Sequence, residues 1–324
     1  MKTRLNLAAT GLNLTNFPAQ PWITNVELIT GLAPVQYESV NIYTTQLEVT
    51  MYNGRKRRVF VSTPTAKPPR IDAYGTVIQG SRSAFVVGLC GSDANGDGAM
   101  DLITPPVGDY QYRWPLAVAK DHNMIAVLVD APLFGQYEYP EELNNPYDTL
   151  IGDICGVEAA RWYLDNSLAL SVYGIQPVTK NCFVGGISWG GMRTQFLAAA
   201  LQDCVAAYVA SAQVDKAYDT RPFCSPPDWA AANYNYADML KVSTAKKIRI
   251  AFGGNGGDYL YTPFRPGIDT IVDGLVSYDN VKFSKHINAT LAHQIDLADI
   301  RAFFTSCLSP TLFYTVPKYA DEHP

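Results

Sequence analysis

This sequence of 324 residues lacks several features that would place it in a broad class of proteins. No apolar run approaches the roughly 20 residues of a membrane-spanning helix, so we expect no membrane partner. Lys and Arg number 25 against 30 Asp and Glu, a net charge of −5. This acidic balance argues against a nucleic-acid partner, because phosphate contacts need clustered Lys and Arg. Internal repeats and low-complexity linkers are also absent, which favours one large domain.

Cysteine pairs of the CxxC type are missing too, although the chain has six cysteines. Several lie in apolar segments, which favours buried free thiols in a reducing compartment; a disulfide between Cys204 and Cys224 remains an alternative. The N-terminus has two basic residues, but Asn6, Thr10 and Asn13 interrupt its apolar residues. It is therefore a poor match to a signal peptide, and we predict a cytoplasmic protein.

What the chain does contain is an ordered series of predicted strands and helices. Residues 36–63 alternate like antiparallel strands, and Asn53-Gly54 is a strong hairpin signal because both residues tolerate positive φ. Continuous apolar runs at 84–89 and 124–129 predict strands buried on both faces. After this antiparallel start, strands and helical patterns alternate to the end. The order predicts an α/β protein with a doubly wound, mostly parallel sheet and an N-terminal antiparallel hairpin.

The domain organisation follows from the same patterns. Residues 1–34 show no strong period, so we predict an N-terminal arm packed over the domain and available for homo-oligomerisation. Residues 35–310 form the predicted domain, with 213–246 as a lid-like insertion, and residues 311–324 form a C-terminal tail. The basic run at 55–58 indicates a charged edge strand that blocks edge-to-edge pairing, with an anion site as the alternative.

The segment 182–191 carries the most informative motif. Within it, Gly186-Ile187-Ser188-Trp189-Gly190 fits the Gly-x-Ser-x-Gly pattern, in which the serine lies on a sharp turn between a strand and a helix. The residues two before and two after the serine must be small, because the backbones approach closely there. The Ser188 hydroxyl would then stand clear of the sheet, with the Trp189 amide directed at the same space. A plain glycine-rich turn is the alternative.

A serine hydroxyl needs a neighbouring base, usually a histidine that a carboxylate orients, and the chain has only four histidines. We predict His293 as the base, because it follows the last strand, and loops beyond the carboxyl ends of strands form the sites of such sheets. Asp258 follows the strand at 248–252 through a glycine-rich turn and is the predicted acid. Asp215 and Asp219 are its alternatives.

The order Ser188, Asp258 and His293, each after a successive strand, resembles the α/β-hydrolase fold. The pattern is similar to dienelactone-hydrolase-like and acetylxylan-esterase-like carboxylesterases, and to the catalytic domain of prolyl-oligopeptidase-type peptidases, over residues 36–308. The resemblance implies Ser188 as the nucleophile, His293 as general base and then acid, and Asp258 as the group that holds the imidazole. No cofactor is required for such chemistry.

The resemblance also implies an oxyanion hole. One amide would come from Trp189, the residue after the serine, and a second from the loop after an earlier central strand. Leu89-Cys90-Gly91-Ser92 occupies that place, so Cys90 replaces the usual histidine. Ser92 is our first choice for the second donor, and Gly91 is the next.

The same loop continues with a pattern typical of an EF-hand-type calcium site. Carboxylate or amide side chains stand at relative positions 1, 3, 5 and 9, with glycine at position 6, although Thr104 stands where the bidentate Glu is expected. A flexible acidic loop is one interpretation of this pattern, and a structural calcium site is the other. The predicted ligands are Asp93, Asn95, Asp97 and Asp101.

The expected function is that of a serine hydrolase that cleaves carboxylic esters of small or sugar-borne acyl groups. Trp229, Tyr234 and Tyr236 of the insertion are the predicted substrate-binding residues, with core packing as the alternative. Two other functions stay open: a prolyl-oligopeptidase-type peptidase, although the large N-terminal propeller of that family is absent, and a catalytically silent binding or structural protein.

Overall fold

The structure is a computed structural model. It describes residues 4–64, 70–71, 77–78, 85–91, 97–106, 108–122, 124–132, 137, 139, 141–142, 145–166, 182–218 and 226–308. These residues contain twelve β-strands and seven α-helices. The strands are β1 Ile23–Gly31, β2 Val35–Tyr37, β3 Val40–Met51, β4 Lys56–Pro64, β5 Arg70–Ile71, β6 Val77–Ile78, β7 Phe85–Leu89, β8 Ile125–Val129, β9 Cys182–Ile187, β10 Cys204–Ala210, β11 Lys247–Gly253 and β12 Phe283–Asn288. The helices are α1 Trp114–His122, α2 Pro146–Asn166, α3 Trp189–Ala200, α4 Pro227–Ala232, α5 Tyr236–Val242, α6 Arg265–Tyr278 and α7 Leu297–Cys307.

Ten strands form one sheet in the order β1-β3-β4-β8-β7-β9-β10-β11-β12, with β2 beside β3, while β5 and β6 pair separately. The first pairings are antiparallel, and every pairing from β8 to β12 is parallel. This arrangement confirms the predicted fold class. The next strand in the chain, β8, pairs with one side of β7, and the chain later returns to form β9 on the other side of β7. A crevice at the carboxyl ends of β7 and β9 is the usual consequence of such a reversal.

The central strands lie in the core. All residues of β7, β8 and β9 are buried, which explains why these segments are continuous apolar runs. The helix α3 is also buried along its whole length. No helix among the described residues is long and apolar enough to cross a membrane.

The hairpin between β3 and β4 turns at the predicted place. Gly54 has a φ of 78° and donates its N–H to the Met51 carbonyl at 2.9 Å. The predicted charged edge strand is wrong, however, because β4 lies between β3 and β8. Two arginines of the basic run are buried and paired instead, Arg57 with Glu142, and Arg58 with a carboxylate at the end of β8.

The N-terminal segment is built into the domain. Its strand β1 pairs with β3 and forms one edge of the sheet. Upstream, a 3₁₀ helix at Leu7–Thr10 packs near the end of α3, and the Asn6 N–H donates to the Ala200 carbonyl at 2.7 Å. Part of the segment predicted as an arm is thus a strand of the sheet. The predicted tail, residues 311–324, lies outside the described residues.

Candidate active site

Ser188 lies at the turn between β9 and α3 with a φ of 57° and a ψ of −123°. A positive φ is unfavourable for a residue with a side chain, so the surroundings must hold it. The Ser188 N–H donates to the Ala210 carbonyl at 3.0 Å, and the Ser188 carbonyl accepts from the Met192 N–H at 3.1 Å. The turn therefore has the strained geometry that the sequence motif predicts.

The glycines of the motif are required by close backbone approach. A Cβ on Gly186 would lie 2.5 Å from the backbone of Gly190, and a Cβ on Gly190 would lie 2.2 Å from the Leu89 carbonyl oxygen. These contacts join β7, β9 and α3 at one point. They confirm the steric reason for glycine at both positions.

Asp258 is fully buried, and four hydrogen bonds hold its carboxylate. One oxygen lies 3.0 Å from His293 Nδ1 and accepts from the Leu260 N–H at 3.2 Å. The other accepts from the Ser211 hydroxyl at 2.6 Å and from the Gly253 N–H at 3.2 Å. A carboxylate only accepts, so Nδ1 of His293 is the donor in this hydrogen bond, and in the neutral imidazole Nε2 then carries the lone pair.

The alternative acids are placed differently. The carboxylate of Asp215 accepts from the Asn235 side-chain amide at 3.0 Å and from the Ala217 N–H at 2.9 Å. Asp219 lies outside the described residues. Of the described candidates, Asp258 is the one that contacts His293.

A tyrosine connects the serine to the histidine. Ser188 Oγ lies 3.5 Å from the Tyr259 hydroxyl, and the Tyr259 ring packs on the His293 ring with 4.2 Å between centroids. His293 Nε2 is buried and has no hydrogen-bond partner within the described part of the chain. The structure thus brings Ser188, Asp258 and His293 into one contiguous cluster. Within it, the described hydrogen bond of the serine hydroxyl goes to Tyr259 and not to the imidazole.

No model of a protein family and no curated protein matches this sequence, but solved structures resemble it. An esterase from Pyrococcus furiosus has a TM-score of 0.53 and 11% identity, over 82% of this chain and 89% of that one. A protein of unknown function from Agrobacterium tumefaciens, classed as a candidate α/β hydrolase, has a TM-score of 0.52 and 12% identity, over 82% of this chain and 98% of that one. Acetyl xylan esterase 1 from Thermoanaerobacterium sp. JW/SL YS485 has a TM-score of 0.50 and 11% identity, over 88% of both chains. The chain has the α/β-hydrolase fold. Identities this low show the fold and not the activity.

In this α/β-hydrolase fold, the loop after β7 is where the second oxyanion donor is predicted. Ser92, the first choice, lies outside the described residues. The Gly91 N–H, the alternative, donates to the buried Gln111 Oε1 at 2.9 Å, so it is already bonded within the protein. Trp189, which carries the other predicted amide, is the first residue of α3. Burial raises the pKa of Cys90 to about 11, so this thiol is neutral at pH 7 and a poor nucleophile.

The predicted calcium ligands lie only partly within the described residues, since Asp93 and Asn95 are outside them. The Asp97 side chain is 62% exposed, whereas Asp101 is buried in the 3₁₀ helix Gly98–Leu102. Arg58 donates to the Asp97 carbonyl at 2.9 Å and ties this part of the loop to β4. No described group of three or more His, Cys, Asp or Glu side chains could hold a metal. Calcium binding stays a prediction.

The predicted substrate-binding aromatic residues pack in another part of the α/β-hydrolase domain. Trp229 and Tyr236 are fully buried, and the Trp229 ring stacks on Phe196 of α3 at 5.3 Å. The Trp229 indole N–H donates to the Thr10 carbonyl at 2.8 Å, and the Tyr234 hydroxyl donates to the preceding carbonyl. Their described contacts are with α3 and the N-terminal segment, and they fit core packing, the alternative weighed for them. These two hydrogen bonds attach the insertion to the carbonyls of residues 9 and 10.

Sequence reasoning missed several residues around the histidine. Tyr259 could have been found, because it directly follows the predicted acid. Ser211 could also have been found, because it directly follows the carboxyl end of β10. Gln111 and Tyr110, whose ring lies 5.6 Å from the His293 ring, give no local signal. They come from a loop between β7 and β8 that only the folded chain brings to the site.

Proposed function

We propose that this protein is a serine hydrolase that cleaves carboxylic esters with small or sugar-borne acyl groups. Ser188 is the nucleophile, His293 the general base and then acid, and Asp258 the group that orients the imidazole. The observation that carries the proposal is the buried Asp258–His293 pair, held beside a serine in a strained turn. Solved structures of similar fold include an esterase and an acetyl xylan esterase, which supports an ester substrate.

The chemistry follows from the proton arrangement. His293 Nε2 takes the Ser188 proton while Oγ attacks the ester carbonyl carbon. The resulting oxyanion is stabilised by the Trp189 amide and by an amide of the loop after β7, which we assign to Ser92. His293 then protonates the leaving alcohol, and the acyl group stays on Ser188. A water molecule gives a proton to His293 and attacks the acyl carbon. The bond to Ser188 Oγ then breaks, His293 returns the proton to Oγ, and the acid is released.

Tyr259 enters this scheme because its hydroxyl contacts Ser188 Oγ in the free protein. The serine side chain must turn from Tyr259 toward His293 Nε2 before it reacts, and catalytic hydrogen bonds often tighten only when substrate is bound. Tyr259 is 56% exposed and packs on the residue that protonates the leaving alcohol. We therefore place the alcohol part of the ester against the exposed face of this ring.

The nucleophile can be tested by labelling with a serine-directed fluorophosphonate, followed by peptide mapping and assays on chromogenic acyl esters. We expect the label on Ser188, and we expect Ser188→Ala to lose both labelling and turnover while melting like the wild type. Ser306→Ala is the matched control, because Ser306 lies in α7, where its hydroxyl donates to the Phe303 carbonyl. A label on another residue, or turnover retained in Ser188→Ala, would refute the assignment.

The same assays test the other functions. Aminoacyl amides in the substrate panel test the peptidase, and the absence of any turnover and labelling would favour a binding or structural protein. This scheme requires no cofactor. A cytoplasmic location and a homo-oligomer formed through residues 1–34 stay proposals, and size-exclusion chromatography with light scattering tests the second.

A further inference from the structure

Ser211 is a buried serine with a strained backbone. It directly follows Ala210, the last residue of β10, and its N–H donates to the Ala251 carbonyl of β11 at 2.8 Å. Its φ is 40°, which is unfavourable for a residue that has a side chain. Such strain persists only where the surrounding structure holds it, and it clusters at functional sites. Strain at Ser211 therefore indicates that the position of its side chain matters.

The Ser211 hydroxyl donates to the buried Asp258 carboxylate at 2.6 Å. Side-chain hydroxyls more often bond the backbone or water, as Ser243 does when it donates to the Ala198 carbonyl at 2.6 Å. The bond from Ser211 is the shortest of the four described for Asp258. Hydrogen bonds to an ionised group are also stronger than those between neutral groups. Ser211 is thus a strong partner of the carboxylate that the proposed chemistry needs.

The two oxygens of the Asp258 carboxylate have different partners. One lies 3.0 Å from His293 Nδ1, and the other accepts from Ser211. Because both oxygens are joined rigidly to one carbon, a bond that holds the second oxygen also restricts rotation of the first. Without the hydroxyl, the second oxygen would keep the Gly253 N–H, at 3.2 Å, as its described donor. Asp258 is fully buried, so bulk water offers no ready replacement.

We propose that Ser211 is a positioning residue for the pair of Asp258 and His293. Its hydroxyl holds one oxygen of Asp258 and so keeps the other oxygen directed at His293 Nδ1. Ser211 needs no contact with the substrate. The three residues follow the neighbouring strands β10, β11 and β12 and form one chain of hydrogen bonds. The inference rests on the proposed ester hydrolysis.

The kinetic test uses two variants that both lose the hydroxyl and otherwise differ. Ser211→Ala keeps a side chain on the strained backbone, whereas Ser211→Gly relieves the strain and removes the Cβ. We expect kcat for a good ester to fall about 3–30-fold in both, because each loses a hydrogen bond to a charged group. KM should change less. The two kcat values should agree closely even where the melting temperatures differ, because the hydroxyl is what both variants lack.

The matched control is Ser62→Ala. Ser62 is fully buried in β4, and its hydroxyl lies 2.7 Å from the Thr44 hydroxyl, so this variant also loses a buried hydrogen bond between side chains. It should lower the melting temperature and leave kcat within about twofold. A double variant adds a second control. Ser211→Ala combined with Asp258→Asn should be little slower than Asp258→Asn alone, because the hydroxyl acts through that carboxylate.

Proton NMR observes the pair without turnover. The proton on His293 Nδ1 that bonds Asp258 gives a far-downfield signal, which is assigned by its loss in His293→Ala. The position of this signal depends on the geometry of the hydrogen bond. It should move in Ser211→Ala and in Ser211→Gly, and stay at the wild-type position in Ser62→Ala. A serine that only stabilises the fold would not move it.

An unchanged kcat or an unmoved signal in the folded Ser211 variants would overturn the inference. A double variant that loses the full product of the single losses would overturn it as well. If Ser211→Ala does not fold, Ser211→Gly, which lacks the strain, decides the matter by the same measurements. A wild-type protein that neither hydrolyses esters nor reacts with a fluorophosphonate at Ser188 would instead overturn the proposed function. The NMR signal would then decide alone whether Ser211 holds the pair.

Discussion

Two histidine–aspartate pairs lie near the C-terminal end of the sheet, and they differ in what surrounds them. His293 Nδ1 lies 3.0 Å from Asp258, and His286 Nε2 lies 2.9 Å from Asp296. The two distances are almost equal. A hydrogen bond between a histidine and an aspartate is therefore not sufficient to identify a catalytic pair.

The second ring nitrogen separates the two pairs. His286 Nδ1 faces another carboxylate, Asp299, at 3.5 Å, so both nitrogens of this ring face acceptors. His293 Nε2 has no described partner, which leaves it available for the proton transfer proposed for this site. The location differs as well, because His286 lies within β12 opposite Ala251, whereas His293 lies in the loop beyond the end of that strand. In open α/β sheets, the binding crevice lies beyond the carboxyl ends of the strands.

We expect the largest difference in kcat when the histidine of each pair is replaced by alanine. His293→Ala should lower kcat for a good ester by about 10⁴–10⁶, because Ser188 loses its base. His286→Ala should change kcat by less than about twofold, since neither of its nitrogens takes part. Steady-state assays with melting curves for both variants provide the check. Equal losses in the two variants would mean that the pairs do not differ in function.

The next effect concerns the two carboxylates. Asp258→Asn should lower kcat by about 10³–10⁴, because the amide no longer holds the imidazole in its reactive tautomer. It should also destabilise the fold by about 1–3 kcal/mol, since the carboxylate accepts from two backbone N–H groups. Asp296→Asn should leave kcat nearly unchanged. Kinetics and urea unfolding measure both quantities, and full activity in Asp258→Asn would remove it from the site.

A smaller effect on kinetics is expected at Tyr259. Its ring packs on His293, and no described contact joins it to His286. Tyr259→Phe removes the hydroxyl that contacts Ser188, so kcat should change by less than about tenfold. Tyr259→Ala removes the ring that we place against the alcohol, so KM should rise more for sugar esters than for methyl esters. Tyr278→Ala is the matched control, because Tyr278 is similarly exposed, at 65%, in α6. Equal KM changes for both ester types would remove Tyr259 from the alcohol site.

The pair at His286 is expected to act on stability rather than on catalysis. Burial raises the pKa of Asp296, but hydrogen bonds from Asn288, the Asp299 N–H and His286 outweigh it, and the net shift is downward. A carboxyl group with a lowered pKa stabilises the fold above its unfolded-state value, about 3.9. The difference in stability between wild type and Asp296→Asn should therefore be present at pH 7 and shrink as the pH falls below about 4. Urea unfolding at several pH values measures it, and a difference at pH 3 as large as that at pH 7 would contradict the assignment.

The smallest expected effect is that of calcium. It concerns only the loop after β7, which carries the predicted second oxyanion donor. Ca²⁺ added to chelator-treated protein should raise the melting temperature by a few degrees, consistent with weak binding in the absence of the Glu at position 12. Asp97→Asn should reduce this rise. Asp273→Asn, which alters an aspartate of nearly equal side-chain exposure in α6, should not. No heat of binding in calorimetry and unchanged melting would leave an acidic loop without a metal.

Much of the fold could be predicted, because burial leaves a local record in the sequence. The buried strands β7, β8 and β11 appear as apolar runs, and their predicted bounds match within a few residues. Several elements were missed, β1 and α6 among them. β1 alternates poorly and has exposed Leu28 and Ile29, and α6 begins with Arg265-Pro266-Gly267, which resembles a turn although proline is favoured in the first turn of a helix.

The basic run shows where local patterns stop being informative. Arg57 and Arg58 have the charge expected of an exposed edge, and no short-range signal shows that Glu142 and Asp130 will meet them in the core. The aromatic residues of the insertion are a similar case. Trp229 suits a sugar site or a core equally well until the N-terminal segment supplies a partner for its indole N–H. In both cases the partner lies more than seventy residues away.

By itself, the sequence predicted the turn at Ser188 and the chain order of the three candidate residues Ser188, Asp258 and His293, because glycine spacing and strand periodicity act over a few residues. The tertiary structure alone decided that Tyr259 contacts Ser188 and packs on His293, and that Arg193 and Gln111 bond the same peptide, between Cys90 and Gly91. Those contacts depend on strand order, which places the ends of β7, β9, β10, β11 and β12 side by side. Side chains far apart in the chain meet at that edge of the sheet, and their meeting leaves no periodic signal in the sequence.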